Sequence, residues 1–367
     1  MADAPTPFRR ARVLRLPTAG PSDTAPLAAA IDRGEVDPAT IVAIIGKTEG
    51  NGCVNDFTRG YATLALKLLL AERLGCALAE IERRVAIVMS GGTEGGLSPH
   101  LLILCCEAAP AAAPSAPRLA IGVGLTRALK PEEIGRMAQI EETAATVTLA
   151  MRDAGITNPK DVHFVQIKCL LLTKERIEEA GRRGAVVATQ DTYHSMGLSR
   201  GASALGVALA LDEIKEADEA AVCRDWSLFS KVASTSAGVE LLRNEIVVLG
   251  NAAGWGGDLV IDHEVMVDAI DAPAATRIIE RLGITRQQVV AVLAKAEASP
   301  SGEIRGRRHT MLDDSDIHST RHARALVGGA LAGAIGDTLL YVSGGAEHQG
   351  PAGGGPVAII GSVASAP

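Results

Sequence analysis

Three stretches of the chain run apolar and then break on a lysine: IVAIIGKTE at 41–49, VHFVQIKCL at 162–170 and VVAVLAKAE at 289–297. Their length and β-branched content read as buried strands. Three more apolar runs stop on a serine followed by small residues: VMSGGTEGG at 88–96, VASTSAGVE at 232–240 and YVSGGAEHQG at 341–350. They align as Ser90-Gly91-Gly92-Thr93-Glu94, Ser236-Ala237-Gly238-Val239-Glu240 and Ser343-Gly344-Gly345-Ala346-Glu347. Between each lysine run and its serine run lies a segment with apolar residues at helical spacing, opened by an arginine. These are DFTRGYATLALKLLLAE (Arg59), MGLSRGASALGVALALDE (Arg200) and IHSTRHARALVGGALAG (Arg321). Asn55-Asp56 and Ser319-Thr320 are the expected N-cap groups.

The order strand with Lys, Arg at a helix start, helix, strand with Ser therefore occurs three times. A low-complexity, proline-rich stretch, AAPAAAPSAP (108–117), reads as a linker, and glycines interrupt the pattern again at NAAGWGGD (251–258). The expected units are 1–107, 113–250 and 257–367, the middle one stretched by KERIEEAGRRGAVVATQDTYH. Periods this long mean a triplicated domain, not a solenoid of short repeats. A length of 367 residues independently suggests two or three domains.

Composition narrows the function. The chain is 47% hydrophobic but only 2% aromatic, so its core is aliphatic, as layered sheets and helices require. The scarcity of stacking platforms and a net charge of −7 argue against a nucleic-acid surface. No apolar run reaches the ~18–20 residues of a membrane span. The N-terminus lacks the apolar region of a signal peptide. Cys53, Cys76, Cys105, Cys106, Cys169 and Cys223 form no C-x-x-C and mostly sit in apolar runs, which suits buried thiols in a reducing, cytoplasmic setting.

A serine at a strand end, followed by small residues, sets an exposed hydroxyl beside free backbone N–H groups. A lysine ending a buried strand requires a partner. Three lysines and three arginines in one site would favour an anionic ligand and push a lysine towards the neutral amine of a general base. Glu49 and Glu297 lie two residues beyond Lys47 and Lys295, on the same strand face, and are expected to stabilise their ammonium forms. Lys168 has Leu170 at that place. It is therefore expected to be the most easily deprotonated, with Ser236 as its partner. His318 and His322, four apart, could bind a metal on a helix, but no third ligand is evident.

These residues resemble the ring-opening amidohydrolases, the family of cyanuric acid amidohydrolase and barbiturase. The resemblance covers essentially the whole chain and rests on GKTEGNGCVNDFTRG, VMSGGTEGG, FVQIKCLLLT, SMGLSRGASALG, STSAGVELLRNEIVVLGN, RHTMLDDSDIHSTRHARA and YVSGGAEHQGP. It implies an α/β fold of three similar units around a pseudo-threefold axis, sheets inward, helices outward, with one central active site. It implies hydrolytic opening of a cyclic imide, cyanuric acid foremost and barbituric acid as the alternative, with Lys168 as base and Ser236 as nucleophile. Lys47, Lys295, Ser90, Gly91, Ala237, Ser343 and Gly344 would bind and polarise the ring with Arg59, Arg200 and Arg321. Ring opening would release a carboxylated biuret that loses CO₂. The resemblance implies no catalytic cofactor. It does imply a structural Mg²⁺ or Ca²⁺ at Glu297, Ala346, Gln349, Gly350, Pro351 and Gly354, and a homotetramer. An open-chain amidase would leave the threefold pattern unexplained, and a non-catalytic binding protein would leave Lys168 and Ser236 without a task.

Overall fold

The computed structural model describes residues 8–109 and 116–363; most of the expected linker lies outside them. The first third contains β1 (Arg9–Pro17), α1 (Ala25–Asp32), β2 (Ile41–Thr48), α2 (Phe57–Leu74), α3 (Leu78–Arg84), β3 (Ala86–Gly91) and β4 (His100–Ala108). The second contains β5 (Arg118–Leu125), α4 (Met137–Ala154), β6 (Val162–Leu170), α5 (Lys174–Arg182), α6 (Thr192–Ala210), β7 (Ala233–Gly238) and β8 (Glu245–Ala252). The last runs from β9 (Trp255–Gly256) through β10 (Leu259–Met266), α7 (Pro273–Leu282), β11 (Val289–Ala296), the short pair β12 (Glu303–Ile304) and β13 (Arg307–Arg308), and α8 (Ser319–Ile335). It closes with β14 (Tyr341–Gly344) and β15 (Gly355–Ser362).

One strand order serves all three main sheets: β3-β2-β4-β1, β7-β6-β8-β5 and β14-β11-β15-β10, with β9 added at the free edge of the first. The lysine strand is always parallel to the serine strand and antiparallel to the strand on its other side. Even the irregularities repeat. Each lysine strand carries a register shift near its start, at Ile41/Ala43, Val162/Phe164 and Val289/Ala291.

Strand alternation divides the apolar residues between two destinations. Ala43, Ile45, Ala86 and Val88 of the first sheet meet Phe164 and Ile246 of the second and Ala291, Leu293 and Tyr341 of the third in one shared core. Residues of the opposite parity pack under helices: Ile44, Ile87 and Ile103 against Leu66 and Leu70 of α2, and Val292, Val342 and Ile359 against Val327 and Leu331 of α8. The sheets thus meet one another on one face and carry helices on the other. Lys47 has the parity of Ala43 and Ile45, and Ser90 that of Ala86 and Val88. The same alternation that builds the core turns the lysines and serines into the space between sheets.

The helix starts differ from expectation at one end. Asp56 caps α2, its carboxylate accepting the Thr58 N–H at 3.0 Å. At α8 the cap is His318, whose Nδ1 accepts the Thr320 N–H at 3.2 Å, while Ser319 is already helical.

Candidate active site

The parallel pairings align each lysine directly with a serine: Lys47 with Ser90, Lys168 with Ser236 and Lys295 with Ser343. All six are buried. Each lysine also reaches out of its own sheet, and the targets are equivalent. Lys47 Nζ donates to the Val342 carbonyl at 2.8 Å, Lys168 Nζ to that of Met89 at 2.6 Å, and Lys295 Nζ to that of Thr235. Val342, Met89 and Thr235 are the residues just before Ser343, Ser90 and Ser236. Every lysine is therefore held by its neighbour's serine strand, and the three contacts close a cycle.

The cavity between these strands is lined by Arg59, Ser90, Gly91, Arg200, Ser236, Ala237, Arg324, Ser343 and Gly344, with Gly52 and Met196. A wider surface cleft bounded by Arg136, His194, Cys223 and Arg224 contains none of the lysine–serine pairs. Convergent chemistry, not size, marks the narrow cavity as the site.

Its third arginine is Arg324, and this corrects the expected Arg321. Arg324 is 3% exposed and clamps Glu94, with Nε at 2.9 Å from Oε2. Arg321 is half-buried and stays outside the lining, although its neighbour Thr320 packs against Gly344. The signal that would have found it is a small residue directly after the arginine: Arg59-Gly60, Arg200-Gly201, Arg324-Ala325.

The glutamate that ends each repeated phrase belongs to the same constellation, and sequence reasoning gave it no role. Arg200 holds Glu347 in a bidentate pair at 2.7 and 2.6 Å, as Arg324 holds Glu94. Arg59 has no such clamp. Its Nη1 and Nη2 donate to the Ala237 and Cys53 carbonyls, each at 2.6 Å, and its Nε lies 3.7 Å from Asp56. Glu240, which should meet Arg59 by analogy, instead lies 2.8 Å from Lys168 Nζ.

Glycine positions record the same asymmetry. A Cβ on Gly92 or Gly345 would strike the guanidinium of Arg324 or Arg200 at 2.5–2.6 Å; both residues have positive φ. A Cβ on Gly238 would strike Glu240 itself at 2.1 Å. In two units an arginine lies over the backbone, and in the middle unit the glutamate folds back over it. Ala237 carries a methyl where Gly91 and Gly344 cannot: theirs would meet Asp56 at 1.8 Å and Thr320 at 2.4 Å.

The expected carboxylate contacts are not formed, although Glu297 still favours the Lys295 ammonium at a distance. Glu49 is exposed and makes no ion pair with Lys47; Glu297 takes the N–H groups of Ala298 (2.8 Å) and Ala346 (3.3 Å) and none from Lys295. Lys168, expected to lack a carboxylate, is the lysine that has one. The strands end before the i, i+2 relation can act, and the glutamate comes from the loop after β7.

Burial disfavours all three ammonium groups. For Lys47 burial dominates, Arg324 adds to it, and the amine falls well below its usual range. Burial and Arg200 push Lys295 down to about 7. Burial also lowers Lys168, against the opposing pull of Glu240. Lys47 and Lys295 are hydrogen-bonded to their serines, at 3.3 and 3.1 Å. Among the described residues no such bond joins Lys168 to Ser236; its ammonium faces Glu240 and Met89.

The amidohydrolase ring-opening protein family model matches residues 12–362. The chain belongs to that family. It is 57% identical to a cyanuric acid amidohydrolase of Ectopseudomonas oleovorans (strain CECT 5344), over 96% of this chain and 99% of that one. It is 58% identical to one from Azorhizobium caulinodans, over 95% and 98%. A solved cyanuric acid hydrolase, described as an evolutionary innovation by structural concatenation, superposes with a TM-score of 0.94 at 53% identity. That match covers 97% of this chain and 100% of that one. A second solved hydrolase, from A. caulinodans, gives 0.90 at 55% identity, covering 97% and 99%.

Among the described residues, neither histidines nor thiols line the cavity of this ring-opening amidohydrolase. His318 bonds Tyr193 at 2.9 Å and His322 bonds Asp314 at 2.7 Å, so the two do not converge. All six cysteines are free, and none lines the cavity.

Proposed function

We propose that this protein hydrolyses cyanuric acid, opening the ring to carboxybiuret, which then loses CO₂ to give biuret. The observation that carries the reading is the closed cycle of three lysine–serine pairs around one cavity. Cyanuric acid has three equivalent carbonyl edges, and a pseudo-threefold site meets each edge with the same equipment. The names of relatives more than half identical over nearly the whole chain point the same way.

In the proposed mechanism Ser236 is the nucleophile and Lys168 the base. The neutral amine takes the Ser236 proton while Oγ bonds to a ring carbonyl carbon. Backbone N–H groups after the serines hold the oxyanion. The ring C–N bond then breaks, and the lysine ammonium returns its proton to the departing nitrogen. Water, deprotonated by the same amine, cleaves the acyl-enzyme and frees Ser236. Glu240 stabilises the ammonium as it forms, as a carboxylate stabilises an imidazolium in a serine-hydrolase triad. Ser236 is chosen because it stands opposite Lys168, the lysine with a carboxylate at 2.8 Å. A second reading has one observation in its favour: Lys295, at about 7, already bonds Ser343.

The loop after β14 is proposed to hold a structural Mg²⁺ or Ca²⁺. The fit rests on Glu297, a half-buried carboxylate to which no cationic side chain bonds among the described residues, and whose pKa is raised by burial and by Glu347. Carbonyls of Ala346, Gly350, Pro351 and Gly354 are of the hard-oxygen kind such ions accept. Gln349 would contribute its carbonyl only, since its side chain already serves Thr235, Gly345 and Glu347. The ion would hold this loop and take no part in the reaction.

Turnover of cyanuric acid against barbituric acid by purified protein tests the assignment. Cyanuric acid is expected to be the substrate. Turnover of barbituric acid alone would replace the substrate within the same mechanism, and turnover of neither would leave a binding protein.

A further inference from the structure

We propose that His163, Asp262 and His263 form a binding site for a borderline divalent cation, Zn²⁺ or a close analogue, which ties the second sheet to the third. This site is separate from the catalytic cavity and does not depend on the substrate. His163 is the second residue of β6; Asp262 and His263 are consecutive on β10. Among the described residues these are the one set of three metal-capable side chains whose ligand atoms all lie within 4.8 Å of one another.

The spacing fits a small tetrahedral ion. The two Nδ1 atoms are 2.9 Å apart, and His163 Nδ1 lies 3.5 Å from Asp262 Oδ1. Ligand atoms ~2.0–2.1 Å from Zn²⁺ at tetrahedral angles sit about 3.3 Å from each other, between those two values. Small side-chain adjustments would equalise them. Two imidazole nitrogens and one carboxylate oxygen select Zn²⁺ and its neighbours over Mg²⁺ or Ca²⁺. A fourth position is left for water, and the side chains of His163 and Asp262 are 17% and 19% exposed, so an ion can enter.

Neighbouring groups are arranged as supports for such a ligand set. Consecutive strand residues normally face opposite ways, but Asp262 bends back, Oδ1 accepting the His263 N–H at 2.7 Å. Its other oxygen accepts Arg281 Nε at 2.7 Å, and Arg281 also donates to the His263 carbonyl at 2.7 Å. Without an ion only one proton is shared between the facing nitrogens. An ion takes that proton's place: the proton moves to Nε2 of the same ring, and both Nδ1 lone pairs and the carboxylate share one partner.

The test is Zn²⁺ titration of metal-stripped protein by calorimetry, beside His163→Ala and Asp262→Asn. Wild type is expected to bind one equivalent more than either variant, and its Tm to rise with Zn²⁺ by a margin that the variants lose. Co²⁺ in place of Zn²⁺ is expected to give the visible bands of a tetrahedral nitrogen-oxygen site in wild type alone. Mg²⁺ should give no difference between proteins. If His163→Ala fails to fold, Asp262→Asn carries the comparison. Equal Zn²⁺ stoichiometry in wild type and in each folded variant would overturn the proposal.

Discussion

At the scale of single residues, the site is three copies of one idea with one copy altered. Glu94 and Glu347 are each held by a guanidinium, and Glu240 by an amine. A carboxylate beside Lys168 favours its ammonium form, so it strengthens the amine as a base while burial opposes it. In Glu240→Gln the opposing pull is gone and the Lys168 pKa falls. Since kcat/KM rises as the base loses its proton, its alkaline-rising limb should move to lower pH. Loss of the ammonium's partner should also lower the plateau, by about 1.5–3 kcal/mol, or roughly 10- to 150-fold. An unmoved limb would separate Glu240 from the base. Serine substitutions decide between the two dyad readings. Ser236→Ala is expected to abolish turnover and retain binding of the ring, whereas Ser90→Ala and Ser343→Ala mainly raise KM. Turnover surviving in Ser236→Ala but lost in Ser343→Ala would move the chemistry to Lys295.

At the scale of elements, helix entry decides which arginine reaches the centre. Arg59 is the third residue of α2, Arg200 the ninth of α6 and Arg324 the sixth of α8. Arg324→Ala, which strips Glu94 of its clamp, should lower kcat/KM by about 1.5–3 kcal/mol for a charge-assisted contact. Arg321→Ala should stay near wild type, and the reverse ranking in steady-state kinetics would restore Arg321 as the third arginine of the site. The lysine and serine strands were legible because strands announce themselves by continuous apolar runs, and parallel pairing then had to set Lys opposite Ser. Arg324 was missed because Arg321, like Arg59, is the third residue of its helix, and only the small residue after the arginine separates the two candidates. The Lys168–Glu240 pair was not legible, because a loop glutamate can swing to either of two cations. Gly238 lacks the positive φ of Gly92 and Gly345, and Glu240, not an arginine, lies against it.

At the scale of the whole molecule, the three sheets share one core and several titratable groups are sealed in it, so stability must follow pH. Lys47 and Lys295 have folded pKa values below their unfolded ones. Their stabilisation is therefore present above ~10.5 and lost as pH falls through the folded value. For Lys295 that loss is complete slightly below pH 7. From about 6.5 down to 4 the histidines take over. His100 stands opposite Lys47 in the sheet, bonded to the Ser98 carbonyl at 2.8 Å, and burial pushes its pKa down to about 4. The unfolded chain protonates this ring in that window and the folded chain does not, so stability falls with pH. Glu245 and Glu297 act oppositely, because burial raises them and the folded state then binds the extra proton. The net slope mixes both signs, and a difference between two proteins isolates one residue. His100→Gln keeps a polar side chain of similar length without a proton to gain. Urea unfolding from pH 7 to 4.5 should show wild type losing roughly 1.4 kcal/mol per pH unit more than the variant below pH 6.5. Parallel stability curves would mean that His100 takes up its proton in the folded chain.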